Sequence, residues 1–111
     1  MNILNAVNAT ATSTNTSTLV SGSILNATNG MSVSFTVKNT GLTNSVDYLI
    51  IAGNASDLSD GVTVQNSATL AAGAVGSYSI QIAPFCYYGV KIASTSAGNH
   101  TTVEAKGRVR G

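Results

Sequence analysis

Beside its many serines and threonines and a few tyrosines and lysines, this chain offers one histidine, one cysteine and four side-chain carboxylates for acid, base, nucleophile or metal chemistry. His100 follows Asn99 between two stretches of alternating polarity, and neither an acid nor a nucleophile stands beside it in a recognisable arrangement. A catalytic histidine needs a nucleophile within hydrogen-bond reach and a third group to orient its ring. Distant residues would have to supply both, so a solvated loop histidine is the expectation. Cys86 lies in Pro84-Phe-Cys-Tyr-Tyr88, which carries no nucleophile signature. A free cysteine more often packs as a small hydrophobe, in the core or at an interface. Asp57 and Asp60 put hard oxygen ligands on the loop Asn54 to Gly61, but they miss the alternate-position spacing of a calcium-binding helix-loop-helix site. Glu104 is the only glutamate, so a pair of catalytic carboxylates would have to recruit an aspartate from another loop. The glycines of Gly73-Ala-Val-Gly76 lack the Lys-Ser/Thr ending of a phosphate loop and lead into a strand pattern. No catalytic residue, cofactor site or metal site is expected.

The elements that position these residues are legible from alternation. Met31, Val33, Phe35 and Val37 alternate with Ser32, Ser34, Thr36 and Lys38, then stop at Asn39-Thr-Gly41. That is a half-buried strand ending in a turn. Tyr78, Ile80 and Ile82 alternate with Ser77, Ser79 and Gln81 after the glycine-rich Leu70 to Gly76. Strands are predicted near Thr18 to Asn26, Met31 to Lys38, Val46 to Ala52, Val62 to Leu70, Ser77 to Ala83, Tyr88 to Ser94 and Thr101 to Val109. Asn29-Gly30, Thr40-Gly41, Asp60-Gly61, Ala72-Gly73 and Ala97-Gly98 punctuate most of the connections. No window sustains a helical period. The reading is an all-β chain: a single antiparallel immunoglobulin-like sandwich of about seven strands. The alternative is a jelly roll, which needs about eight strands and would recruit the N-terminal segment as the extra one.

With 111 residues the chain has room for one domain. Charged residues make up 8% of it, against roughly 25% in an average soluble protein. The formal net charge of +1 supplies no field to attract nucleic acid or anionic lipid. No apolar run approaches the roughly 20 residues that a helix needs to span a bilayer. The lone cysteine forms no intrachain disulfide, and Met1-Asn-Ile-Leu-Asn-Ala-Val7 lacks the basic start and apolar stretch of a secretory leader, which points to synthesis in a cytoplasm. Five glycosylation patterns, at Asn8, Asn15, Asn26, Asn54 and Asn99, follow from a composition rich in Asn, Ser and Thr.

Residues 1 to 18 are uncharged and verge on low complexity, so they read as an extended polar arm preceding a sandwich at residues 19 to 111. Ile3, Leu4 and Val7 would anchor that arm in a neighbour's groove or along a sheet edge, and docking on its own domain is the equal alternative. Phe85, Tyr87 and Tyr88 concentrate half of the aromatic side chains after the only proline. They read equally as a cap on the core or as interface anchors. Lys106, Arg108 and Arg110 share one strand face with Glu104. Either they protect a sheet edge from unwanted pairing, or they meet an acidic neighbour in an assembly.

The set formed by Val37-Lys-Asn-Thr-Gly41, Tyr48, Leu70-Ala-Ala-Gly73 and Tyr78-Ser-Ile-Gln-Ile82 resembles immunoglobulin-like modules related to bacterial and archaeal cell adhesion. The resemblance spans roughly Met31 to Val109 and implies the sandwich fold, but no catalytic residues. Scarce charge, abundant Ser, Thr, Asn and Gly, and one short domain are similar in style to small accessory proteins of tailed-phage virions. That second resemblance implies a non-enzymatic capsid decoration or cement protein. Such a protein would bind the major capsid protein or other virion subunits at coat-subunit junctions and form a homo-oligomer in the assembly. It would engage neither nucleic acid nor membrane, and it would reside in the virion after assembly in the host cytoplasm. The alternatives are a carbohydrate or cell-surface binding module using Tyr87, Tyr88 and Asp57, and a neck or tail accessory subunit.

Overall fold

The computed structural model describes residues 3 to 111. Nine strands follow one another: β1 (Ile3–Thr12), β2 (Thr18–Leu19), β3 (Leu25–Asn26), β4 (Ser32–Asn39), β5 (Val46–Gly53), β6 (Val62–Leu70), β7 (Val75–Ile80), β8 (Tyr87–Ser94) and β9 (Thr102–Arg110). They form two antiparallel sheets, one ordered β1-β9-β4-β7 and the other β2-β8-β5-β6, with β3 also paired to β8. The all-β antiparallel sandwich is as the alternation predicts.

The pairs are nested. β5 pairs with β6, β4 with β7, β2 and β3 with β8, and β1 with β9, so the chain is one long hairpin whose successive pairs alternate between the sheets. Pairs β4 with β9 and β5 with β8 then close each sheet. This is the order of a jelly roll, the alternative that recruits the N-terminal segment. In the seven-stranded immunoglobulin order the first and last strands lie in different sheets.

Residues 3 to 12 accordingly belong to the sandwich, docked on their own domain. β1 pairs with β9 from Ile3↔Arg110 to Thr12↔Thr102, and the Ser13 amide extends the ladder to the Thr101 carbonyl at 2.8 Å. Its near-repetitive Ala, Thr and Asn content has a packing reason. Val7, Ala9 and Ala11 face the core, and the residues between them face solvent, so the edge of the core is filled by small side chains. Long-range pairing orders a segment that has too little apolar area to fold alone.

The predicted strand from Thr18 to Asn26 divides into β2 and β3 around a turn at Ser21-Gly22. Val20 still donates to the Val90 carbonyl at 2.8 Å, while the Val90 amide donates to the Ser23 hydroxyl at 3.2 Å. A side chain thus replaces a ladder carbonyl, as burial of that amide requires. Between the sheets lie Val33, Phe35 and Val37 of β4, Tyr48 and Ile50 of β5, Tyr88, Val90 and Ile92 of β8, and Val103, Ala105 and Val109 of β9. Burying each large side chain contributes about 1.5 to 3 kcal/mol.

Candidate functional site

The structure brings His100 to a partner that spacing along the chain does not reveal. Its Nδ1 lies 2.8 Å from Ser94 Oγ, and Ser94 Oγ lies 2.8 Å from Ser13 Oγ. Ser13 Oγ also accepts the Thr101 amide at 2.9 Å. A serine nucleophile must present its oxygen to a substrate carbonyl, whereas both of these hydroxyls are buried and joined to each other. The chain of bonds ties the end of β1 to β8 and to the segment entering β9. Its role is structural. Ser13 stands far from His100 in sequence, so no local motif marked the group.

A second polar network lies one strand away. Asn39 is fully buried at the end of β4. Its Nδ2 donates to the carbonyls of Asn44 at 2.8 Å and Leu70 at 3.1 Å. Its Oδ1 accepts the Gly41 amide at 3.0 Å and the Thr101 hydroxyl at 2.8 Å. All four hydrogen-bonding positions of the amide are used. The Asn-Thr-Gly motif is therefore a clamp that joins the two sheets, as well as the turn the sequence suggests.

The loop from Asn54 to Gly61 uses its acids on its own backbone. Asp60 accepts the amides of Asn54 at 3.0 Å and Ala55 at 3.1 Å, and Asp57 accepts the Ser59 amide at 3.0 Å. These amides hold both carboxyls below the usual aspartate range, the Ala55 amide most strongly for Asp60 and the Ser59 amide for Asp57. Among the described residues no group of three His, Cys, Asp or Glu side chains is placed to hold a metal ion. Between the acids, Leu58 adopts a left-handed φ of 59° and is buried. It lies over Gly89 together with Leu19: a β-carbon at Gly89 would come within 2.7 Å of Leu58 Cδ1 and 3.0 Å of Leu19 Cδ1. The loop is thus pinned to the outer face of the sheet that contains β8. Because the folded carboxyls ionise below the unfolded value of about 3.9, their contribution to loop order is complete above that value. It is lost as pH falls through the lower folded values. In a proton titration by NMR, the Ala55 and Ser59 amide shifts should follow midpoints below that of a free aspartate; ordinary or raised midpoints would contradict the assignment.

The aromatic cluster resolves mostly inward. Tyr88 is fully buried on β8, and burial pushes its phenol above the usual tyrosine range. It therefore belongs to the core, so of the two equal readings of the aromatic cluster the core one holds for Tyr88 and the interface one does not. Phe85 is half-buried against the same core, edge-on to Tyr88 with ring centroids 6.3 Å apart. Tyr87 points to the opposite face of its strand and is half-buried. Cys86 is half-buried and free; its amide donates to Asn54 Oδ1 at 3.2 Å. Of the proposed arm anchors, Val7 packs toward the core, while Ile3 and Leu4 are 56% and 50% exposed. Met31 and Ile82, at the same end of their sheet, are exposed as well.

The basic face requires a correction too. β9 lies between β1 and β4, an interior position, so Lys106, Arg108 and Arg110 do not guard an edge. They project in a row from the outer face of their sheet, flanked by Ser32, Ser34 and Thr36 of β4 and by Ala6 and Asn8 of β1. Among the described residues the one ion pair is Lys106 with Glu104, at 3.5 Å and exposed, which contributes little. A shallow depression lined by Ser34, Thr36, Lys106, Arg108 and Arg110 runs along the row.

The strands at the sheet edges show the reverse pattern. β1, β2, β3, β6 and β7 contain no charged residue and no proline. Natural edges usually carry charge, proline or bulges that discourage pairing with another chain. β6 has breaks in register opposite Ile50, but β7 pairs regularly along its length and β1 departs from register only between Ile3 and Asn5.

No family model matches the sequence, and no curated protein matches it. Solved structures do. A subunit from Bacillus endospore appendages, described as a family of disulfide-linked pili, superimposes with a TM-score of 0.58 at 18% identity, covering 98% of this chain and 88% of that one. A mitogen derived from Yersinia pseudotuberculosis gives a TM-score of 0.59 at 11% identity over 96% and 86% of the two chains. The PBSX exported protein XepA gives 0.58 at 12% identity, with 98% of this chain matching 36% of that one. At such identities the likeness establishes the fold alone: this chain is similar to sandwiches found in pili, a mitogen and an exported protein.

Proposed function

We propose that this chain is a non-enzymatic structural subunit of a virion, acting as a decoration or cement protein at junctions between coat subunits. The observation that carries the reading is the absence of charge and proline from the edge strands. The outer edges of β1 and β7 offer backbone ladders to a neighbour's strand, and main-chain bonds of this kind give affinity without a specialised pocket. The sequence expectation assigned that task to the N-terminal arm and the sandwich loops. With residues 3 to 12 in the sheet, the edge of β1 takes it over, and Ile3, Leu4, Met31 and Ile82 supply apolar contacts at one end. Many copies on a symmetric shell would multiply modest contacts. Immunogold electron microscopy with an antibody to this chain, applied to phage particles from a producing host, tests the reading. Label over the shell is expected. Label confined to the neck or tail would transfer the role to an accessory subunit there, and unlabelled particles would overturn it.

A further inference from the structure

The nine charges are sorted between opposite faces of the sandwich. Lys38, Lys106, Arg108, Arg110 and Glu104 project from the outer face of the sheet β1-β9-β4-β7, leaving three net positive charges there. Asp47 and Lys91 project from the outer face of the other sheet, and the loop that holds Asp57 and Asp60 is pinned over that face by Leu58. That side carries two net negative charges. Clustering cations on an interior strand is unfavourable by itself, since residues two apart along a strand are about 7 Å from each other. An opposing surface of negative charge would relieve it.

The sheet registers place the charges of the two faces at matching ends. At one end, Gly107 on β9 lies against Leu25, and Leu25 pairs with Tyr88. Tyr87 in turn pairs with Gly53, where the acidic loop begins. Arg108 and Arg110 therefore lie at the same end of the sandwich as Asp57 and Asp60. At the other end, Asn39 reaches across to Leu70, and Leu70 pairs with Val46. Lys38 thus lies at the same end as Asp47. A second copy translated along the normal to the sheets would set its acidic loop over Arg108 and Arg110 and its Asp47 over Lys38.

We infer that copies of this chain stack face to back, the basic face of one on the acidic face of the next. The inference rests on the assembly reading and names the surfaces that meet. A contact between two different surfaces repeated by translation does not close, so it builds a linear stack. The Arg108 guanidinium donates one bond to the Gly107 carbonyl at 2.9 Å, and its remaining N–H groups can donate to carboxylates, the strongest kind of neutralising contact for such a row.

Sedimentation velocity on the purified chain tests this at low and high salt. In about 20 mM salt, where the Debye length exceeds 20 Å, the average mass should rise with concentration to at least twice the monomer value. In roughly 0.5 M salt, where that length is about 4 Å, it should return to that of the monomer. Arg108→Glu with Arg110→Glu reverses one surface, and Ser56→Lys with Asp57→Lys reverses the other. Each double variant should stay monomeric with the circular dichroism of the parent, and mixing the two should restore association, because each reversed surface then meets its complement. Recovery on mixing shows that both variants are folded. A parent that is monomeric in low salt overturns the inference, as does association insensitive to both variants. A parent that stays monomeric alone and binds inorganic polyphosphate also overturns it, in favour of a polyanionic partner. Particle labelling and stacking are read separately, so either conclusion can fail without the other.

Discussion

Replacing Asn39 by alanine should lower the stability of the domain by about 4 kcal/mol, since buried polar groups deprived of partners cost roughly 1 to 3 kcal/mol each. The substitution strands the carbonyls of Asn44 and Leu70 and removes the acceptor for Gly41 and Thr101. Two of the four bonds lie wholly in buried surroundings, where water does not readily take the place of the amide. For a domain near this size the loss corresponds to a fall in Tm of roughly 15 to 25 °C. Equilibrium urea unfolding measures it directly. Asn39→Asp adds a sharper test, because a carboxylate accepts but does not donate. It would face two carbonyl oxygens, so its penalty should be at least as large at neutral pH and should shrink as acid protonates it. A loss below about 1 kcal/mol in the alanine variant would show that the turn and the two sheets hold without the clamp.

The second large effect concerns shape. Phe35 is 1% exposed at the middle of β4, directly opposite Gly107 of β9 in the register. A β-carbon on Gly107 would fall 2.8 Å from the Phe35 ring and 2.7 Å from Leu25 Cδ1. The glycine thus makes room for the ring. Phe35→Ala should cost about 4 kcal/mol through lost burial and a residual cavity. Gly107→Val alone should cost about 2 kcal/mol through overpacking. Combined, the two should cost clearly less than their sum, because the valine enters the space that the ring vacates. Unfolding of the four proteins of this cycle gives the coupling. Strict additivity would mean that Gly107 is not what accommodates Phe35.

These two sites differ in how much of them the amino-acid order reveals. Phe35 is visible as a core residue because its neighbours two positions away are also apolar. Strand polarity repeats every two residues, so a short window suffices. For the same reason the strand from Val62 to Leu70 is found at its observed bounds, and most of the others within a few residues. Asn39 looks like a turn residue by its place before Thr-Gly, and the turn is real. Its clamp depends on Leu70 and Thr101, which lie 31 and 62 residues away.

The candidate surfaces divide in the same manner. Alternation correctly places Lys106, Arg108 and Arg110 on one face of a strand. Whether that strand is an edge or an interior one depends on β1 and β4, neither of which adjoins it in sequence. Tyr87 and Tyr88 are adjacent and alike, yet the pleat turns one toward the core and the other away.

By itself, the sequence determined an all-β sandwich with sparse charge, a lone histidine and cysteine, and the polar or apolar identity of nearly every strand face. Those properties are local, since they depend on residue type and a period of two. Only the tertiary structure decided the jelly-roll order, the place of residues 3 to 12 in a sheet, the uncharged edges and the opposed charged faces. Each of these depends on which strands pair across long stretches of chain. In a nested hairpin the most distant residues become neighbours, as Ile3 and Arg110 do.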